Sequence, residues 1–326
     1  MERKYAVGLW AWGRLGDRFN LIGYRPGWDV LSAIRMIASI PHVKGIEFTY
    51  PDNLNDENKD LVKKELENHG LKVASIYCNI SSDPKWQRGA FTANPKLKEE
   101  AIKQVCHVMD LAAEFGSDKI TFSLLQDGWD YPFQVDYYRA RREIIEGLKI
   151  CCDHRNDVSI GVEFKSREPR TFCFIDSAAN TLLLINEVKR DNIGVVVDIG
   201  HSLMNRENMS YNIVLLASYG KLLHLHLNDN YRTWDDDLIV GSIHFLETLE
   251  LIYWLNRVGY KGWYSLDIFP YREDPTQAAT ESIEFIETCF NILERIGMDK
   301  LEELINSGDP VKTLRTIRNI AFNVNK

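Results

Sequence analysis

Short runs of β-branched and aliphatic residues alternate with longer amphipathic stretches along most of the chain. The runs at 5–10, 45–48, 72–77, 119–122, 159–164, 193–198, 222–227 and 262–266 predict strands. Between them, 28–40, 57–69, 96–115, 135–153, 177–188, 210–219, 245–258 and 276–296 predict helices. Apolar residues recur there at three- and four-residue spacing, as in Leu249, Leu251, Ile252 and Leu255. Gly70, Gly116 and Gly259 stand where helices would stop before the next strand. Eight strands alternating with eight helices, with no break in composition, predict a single (β/α)8 TIM barrel over residues 1–296. A last amphipathic stretch from Leu301 to Ile320 makes 297–326 a short C-terminal helical extension, expected to serve packing or subunit contact. A doubly wound sheet would need a phosphate-binding turn after an early strand, and the one Gly-containing candidate, 8–13, lacks that pattern.

The predicted strand ends carry the chemistry. Glu163 ends the fifth, Asp198 the sixth and His226 the seventh, and Asp267 the eighth. In a parallel barrel these ends converge on one mouth, so the four would face each other. One acid at a strand end reads as a loop cap or an ion pair. Four at successive ends read as ligands of a divalent cation, with Mn2+, Mg2+ or Co2+ ahead of Zn2+. His201 follows Asp198 by three residues, and Asp235 and Asp237 are two apart in the loop after the seventh strand. With Asp198 bridging, His201, Asp235 and Asp237 are expected to form a second site, so one or two ions per chain. A solvated acidic turn is the competing reading of 235–237.

Lys165, two residues beyond Glu163, is expected to polarise a substrate carbonyl or hold a hydroxyl. The catalytic set is therefore Lys165, Glu163, His201 and Asp267. His224 alternates with His226 and reads as a supporting or packed barrel residue. Trp10, Trp12, Phe91 and Trp129, on loops predicted near the mouth, are expected to pack on a sugar, with Gln134 and Arg170 as polar contacts.

Composition narrows the partners. The net charge of −8 opposes a nucleic-acid partner. No apolar run reaches membrane-spanning length and the start has no secretory pattern, so a cytoplasmic location without membrane contact is expected. Six cysteines without a C-x-x-C motif read as free thiols.

Several stretches together resemble the xylose isomerase-like barrel superfamily, and xylose isomerase in particular. Gly8-Leu9-Trp10 resembles its opening strand and Gly89-Ala90-Phe91-Thr92-Ala93-Asn94 its G-x-F-T-A-N stretch. The segment from Glu163 to Arg170 resembles E-x-K-x-x-E-P-R, and Asp198-Ile199-Gly200-His201 resembles E-x-G-H with Asp replacing Glu. His224 to Gly241 resembles H-x-D-L-N followed by D-x-D-L-x-x-G. The resemblance implies the same two metal sites, with Lys165 at the carbonyl oxygen, and a homo-oligomer, dimer or tetramer. Two stretches depart from it. Phe48-Thr49-Tyr50-Pro51-Asp52 lacks the histidine that assists ring opening in xylose isomerases, and 122–128 replaces W-G-G-R-E-G. His226 stands where xylose isomerases have Asp, as in the ketose 3-epimerase and rhamnose isomerase branches.

The expected function is therefore a divalent-metal-dependent sugar isomerase moving hydrogen between C1 and C2 of an aldose and a ketose. Asp52 or Gln134 would open the ring. The alternative is proton abstraction on the same metal platform, by a ketose 3-epimerase or a 3-keto-glycoside (C-glycoside) cleaving lyase. A lyase of this kind would work with a small partner subunit. The acidic balance argues against the superfamily's DNA-repair branch, and an intact ligand set against a pure binding protein.

Overall fold

Eight parallel strands close on themselves in the computed structural model, which describes residues 3–168 and 170–323. Pro169 and the end of the tail, 324–326, lie outside the described residues. The strands are β1 (Lys4–Gly8), β2 (Val43–Tyr50), β3 (Lys72–Cys78), β4 (Lys119–Ser123), β5 (Ser159–Glu163), β6 (Ile193–Asp198), β7 (Leu222–Leu227) and β8 (Trp263–Leu266). Each is paired with its sequence neighbours and β1 closes on β8, pairing Val7 with Leu266. This is the (β/α)8 TIM barrel that the hydrophobic pattern predicts.

Helices α1 (Val30–Ala38), α2 (Lys59–His69), α3 (Pro95–Glu114), α4 (Tyr137–His154) and α5 (Ala178–Val188) follow the first five strands. A short α6 (Ile199–Met204) precedes α7 (Met209–Ser218), and α8 (Phe245–Arg257) and α9 (Pro275–Ile296) complete the ring. Each helix turns one stripe inward: on α1 it is Ala33, Ile34 and Ile37, all fully buried. Burying an aliphatic side chain of that size contributes about 1.5–3 kcal/mol, so the stripes rather than helix propensity hold the ring. Asp29, Asn94, Asp136, Ser177, Asn208 and Asp274 accept a backbone N–H at the starts of α1, α3, α4, α5, α7 and α9. The tail is two helices, α10 (Met298–Ser307) and α11 (Pro310–Ala321), separated by Gly308 at φ 61°. Leu301 and Leu304 of α10 are buried, whereas α11 buries no residue fully. No helix among the described residues is long and apolar enough to cross a membrane.

Three local features depart from the sequence pattern. The first strand stops at Gly8, and Leu9–Trp12 coil into a 3-10 turn. The Trp10 ring then lies across Gly8, where a Cβ would come within 2.1 Å of it, so only glycine fits. The helix α6 is too short to leave a period in the sequence, and it starts because Asp198 accepts the backbone N–H of His201 at 2.9 Å. Outside the barrel, Gly128–Trp129, Arg167–Glu168 and Thr171–Cys173 form a small antiparallel sheet.

Candidate active site

The C-terminal ends of the barrel strands surround a cavity of about 430 Å3. Its walls include Trp10, Glu163, Lys165, His201, Asp235, Asp237 and Asp267 on one side. Thr49, Asp52, Tyr77, Asn79, Ser82, Ser123 and Leu125 line the other.

Glu163, Asp198, His226 and Asp267 each offer one donor atom, and the four atoms lie within 4.8 Å of one another. His226 Nδ1 is 2.7 Å from Glu163 Oε1 and 3.3 Å from Asp267 Oδ2. Ser123 on β4 donates to the second Glu163 oxygen at 2.6 Å, and the Trp10 indole N–H donates to Asp267 at 2.7 Å. Asn228, directly after β7, donates to Asp198 at 3.1 Å and to Asp237 at 3.1 Å. Glu163, Asp267 and Asp198 are therefore each steered by a side chain from a neighbouring strand or the turn after it.

A second group joins Asp198, His201 and Asp235, again within 4.8 Å. His201 donates through Nδ1 to the Phe164 carbonyl at 2.8 Å, which turns Nε2 toward Asp235 Oδ2, 3.1 Å away. Gly200 permits this approach. A Cβ there would stand 2.6 Å from Asn228 Oδ1 and 2.8 Å from Asp235 Oδ1. Asp237 lines the same cavity, but its donor atoms fall outside the group of three. Lys165 Nζ pairs with Glu168 at 2.5 Å and Asp235 at 2.7 Å, so it reaches the second group as well as the cavity.

The electrostatics report crowding of acids. Burial pushes the Asp267 carboxyl up to about 7, with Asp198 and Glu163 adding to it against the pull of His226. Burial likewise lifts Asp198 to about 6 and holds Asp237 well above the usual carboxylate range, where Asp235 and Asp267 crowd it further. Glu163 goes the other way. Burial would raise it, but His226 and His201 bring it down to about 2. Asp235 Oδ1 and Asn228 Oδ1 are buried without a hydrogen-bond partner. Carboxylates and an imidazole packed this closely, with orphaned oxygens beside them, fit a divalent cation, which would discharge the crowding and take up free lone pairs.

Of the six residues expected to contact substrate, Trp10 lines the cavity. Trp12 is 1% exposed and Phe91 is 1% exposed, both in the apolar core. Phe91 packs on Phe122 and fills the groove left by Gly147, whose absent Cβ would stand 2.7 Å from its ring. Trp129 stacks with Phe172 of the small sheet and against Tyr137 and Phe174. Gln134 accepts the backbone N–H groups of Asp130 and Tyr131, and Arg170 pairs with Asp130 at 2.9 Å. These last three tie the outer loops together and stand away from the cavity wall. Aromatic rings are conspicuous in a sequence, but it does not reveal whether a second ring or a glycine groove already covers them.

Several lining residues carried no signal. Ser123, Tyr77 and Asn79 are ordinary polar residues until the barrel closes around them. Glu47 could have been found as a charge between Ile46 and Phe48 in the middle of a strand, and it is fully buried against His224 and His226.

The profile of the xylose isomerase-like TIM barrel family matches residues 37–289. The chain belongs to that family. Xylose isomerase from Thermus thermophilus is 26% identical over 283 residues, which is 80% of this chain and 71% of the relative. With isomerases of the family among its relatives over that span, the protein is an enzyme of the isomerase class. Among solved structures, D-allulose 3-epimerase from Methylomonas sp. superposes with a TM-score of 0.69 at 15% identity, covering 89% of this chain and 99% of its own. The 3-keto-D-glucoside 4-epimerase from E. coli superposes with a TM-score of 0.67 at 17% identity, covering 89% and 100%.

Proposed function

We propose that the protein is a divalent-metal-dependent sugar isomerase that interconverts an aldose and a ketose. The observation that carries this is the gathering of Glu163, Asp198, His226 and Asp267 beneath a cavity that Lys165 also lines. A cation held by those four residues supplies Lewis-acid polarisation of sugar oxygens. The Lys165 ammonium donates to the carbonyl-end oxygen and steadies the negative charge that develops there as hydrogen leaves C2 for C1. Burial opposes the charge on Lys165, but Asp235 and Glu168 more than offset this, so the side chain stays cationic while it works. Asp52, which accepts from Asn79 at 2.6 Å on the opposite wall, is the residue in reach of a sugar ring for opening it. Gln134, the other candidate, is engaged in its own turn.

Removing divalent cations with a chelator should abolish aldose–ketose conversion, and Mn2+, Mg2+ or Co2+ should restore it. Conversion that survives thorough chelation would defeat the proposal.

A second reading is proton abstraction by a ketose 3-epimerase or keto-glycoside lyase. It is favoured by Asp237 standing outside the second donor group, held by Asn228. The variant Asp237→Asn separates the two. An isomerase that needs the second group would lose turnover, about tenfold if Asp237 acts through Asn228 on Asp198. An unchanged rate would favour the epimerase or lyase.

A further inference from the structure

β2 sends no donor to the cluster at the mouth, yet it buries a carboxylate in the middle of the barrel. Glu47 is fully buried between Ile46 and Phe48 of that strand. Its Oε1 accepts from His224 Nε2 at 2.8 Å and from the Ser265 hydroxyl on β8, and its Oε2 faces His226 Nε2 at 3.3 Å. His226 is thus gripped at both ends. Nδ1 meets Glu163 and Asp267 on the cavity side, and Nε2 meets Glu47 on the inner side.

An imidazole can donate a lone pair from a nitrogen only if that nitrogen carries no proton. Which nitrogen is bare depends on where the other can place its N–H. We propose that Glu47 is a positioning residue for cation binding: it accepts the Nε2–H of His226 and so keeps Nδ1 bare and aimed at Glu163, Asp198 and Asp267. His224 on β7 and Ser265 on β8 hold Glu47 in turn through its other oxygen, so side chains from β2, β7 and β8 converge on the orientation of one ring. Glu47, His224 and His226 also offer donor atoms within 4.8 Å of one another. The direct contacts to Glu47, with Ser265 closing over Oε1, make this trio a hydrogen-bonded support and leave the cation to the mouth.

The inference rests on the metal-dependent function proposed above, and calorimetry separates the two. Mn2+ is titrated into metal-stripped wild type, Glu47→Gln and Glu47→Ala, each checked as folded by circular dichroism. Gln keeps an oxygen that can accept from His226 but lacks the charge, whereas Ala removes the acceptor. Mn2+ affinity is expected to fall by about tenfold in the Gln variant and by about a hundredfold in the Ala variant, the range known for partners of metal-binding histidines. A purely structural Glu47 would lower the melting temperature of the metal-free variants and leave the Mn2+ affinity of the folded proteins at the wild-type value, which would overturn the inference. If the Ala variant does not fold, the Gln variant alone decides. A wild type that binds no Mn2+ would overturn the metal-dependent function along with it. A wild type that binds, with Glu47→Gln unchanged, would overturn the role of Glu47 alone.

Discussion

Strands β5 to β8 end in or just before Glu163, Asp198, His226 and Asp267, whereas β2 to β4 bring Thr49, Tyr77 and Ser123 to the same cavity, with Asp52, Asn79, Ser82 and Leu125 just beyond. The first half is crowded with acids, and burial together with their mutual repulsion lifts Asp198, Asp237 and Asp267. The second half has one acid, Asp52, already hydrogen-bonded to Asn79. In a barrel mouth the two halves can therefore separate duties. On the proposed function, the crowded half would hold a cation and steady charge, and the quieter half would set the shape and hydroxyl pattern of what enters. The two stretches that depart from the xylose isomerase pattern, 48–52 and 122–128, fall on the quieter half, whereas the single exchanges at Asp198 and His226 fall on the crowded half.

The strongest break of that division is Glu163→Gln. It removes a donor charge while keeping the shape, and should abolish cation binding and lower turnover by more than the roughly hundredfold that a supporting partner contributes. Metal content and sugar conversion measured on folded protein check this, and full turnover would detach the crowded half from the chemistry. Next is Lys165→Met, which keeps the length and removes the ammonium. It should lower kcat by about a hundredfold with the cation still bound, read from steady-state kinetics alongside metal analysis.

The effect of pH is smaller. Asp198 and Asp267 are held up to about 6 and about 7, so protons compete with a cation for them in acid. Mn2+ affinity should climb between about pH 5 and 8, by up to about tenfold per unit for each proton displaced, and level off above. Titrations across that range would show it, and a flat profile would mean the carboxyls are not the ligands. The smallest effect is expected at Trp129→Ala, outside the cavity wall. It should change turnover by less than about twofold while loosening the small sheet, since surface-layer substitutions act mainly on local stability.

The barrel was legible because each strand is a short apolar run and each helix keeps a three- and four-residue stripe, as on α8 with Leu249, Leu251, Ile252 and Leu255. The acids were legible for a related reason: Glu163 and Asp198 interrupt apolar runs at their ends, where a parallel barrel points residues into its mouth. What stayed hidden depends on distant contacts. Trp12 and Phe91 look like pocket aromatics in one dimension, and only packing against the core and Gly147 removes them. The short α6 has no period to detect, and Glu47 acquires meaning only when β7 brings His224 and His226 across the barrel to it. Local pattern carries strand ends well and long-range partnership poorly.

The most direct measurement is proton NMR of a panel of pentoses, hexoses and deoxy-sugars incubated in D2O with the Mn2+-loaded protein. Conversion of an aldose to its ketose with no deuterium entering carbon is the result expected of an isomerase built on the β5–β8 cluster. Deuterium appearing at C3 of a ketose, or no change in any free sugar, would contradict it and assign the cluster to proton abstraction.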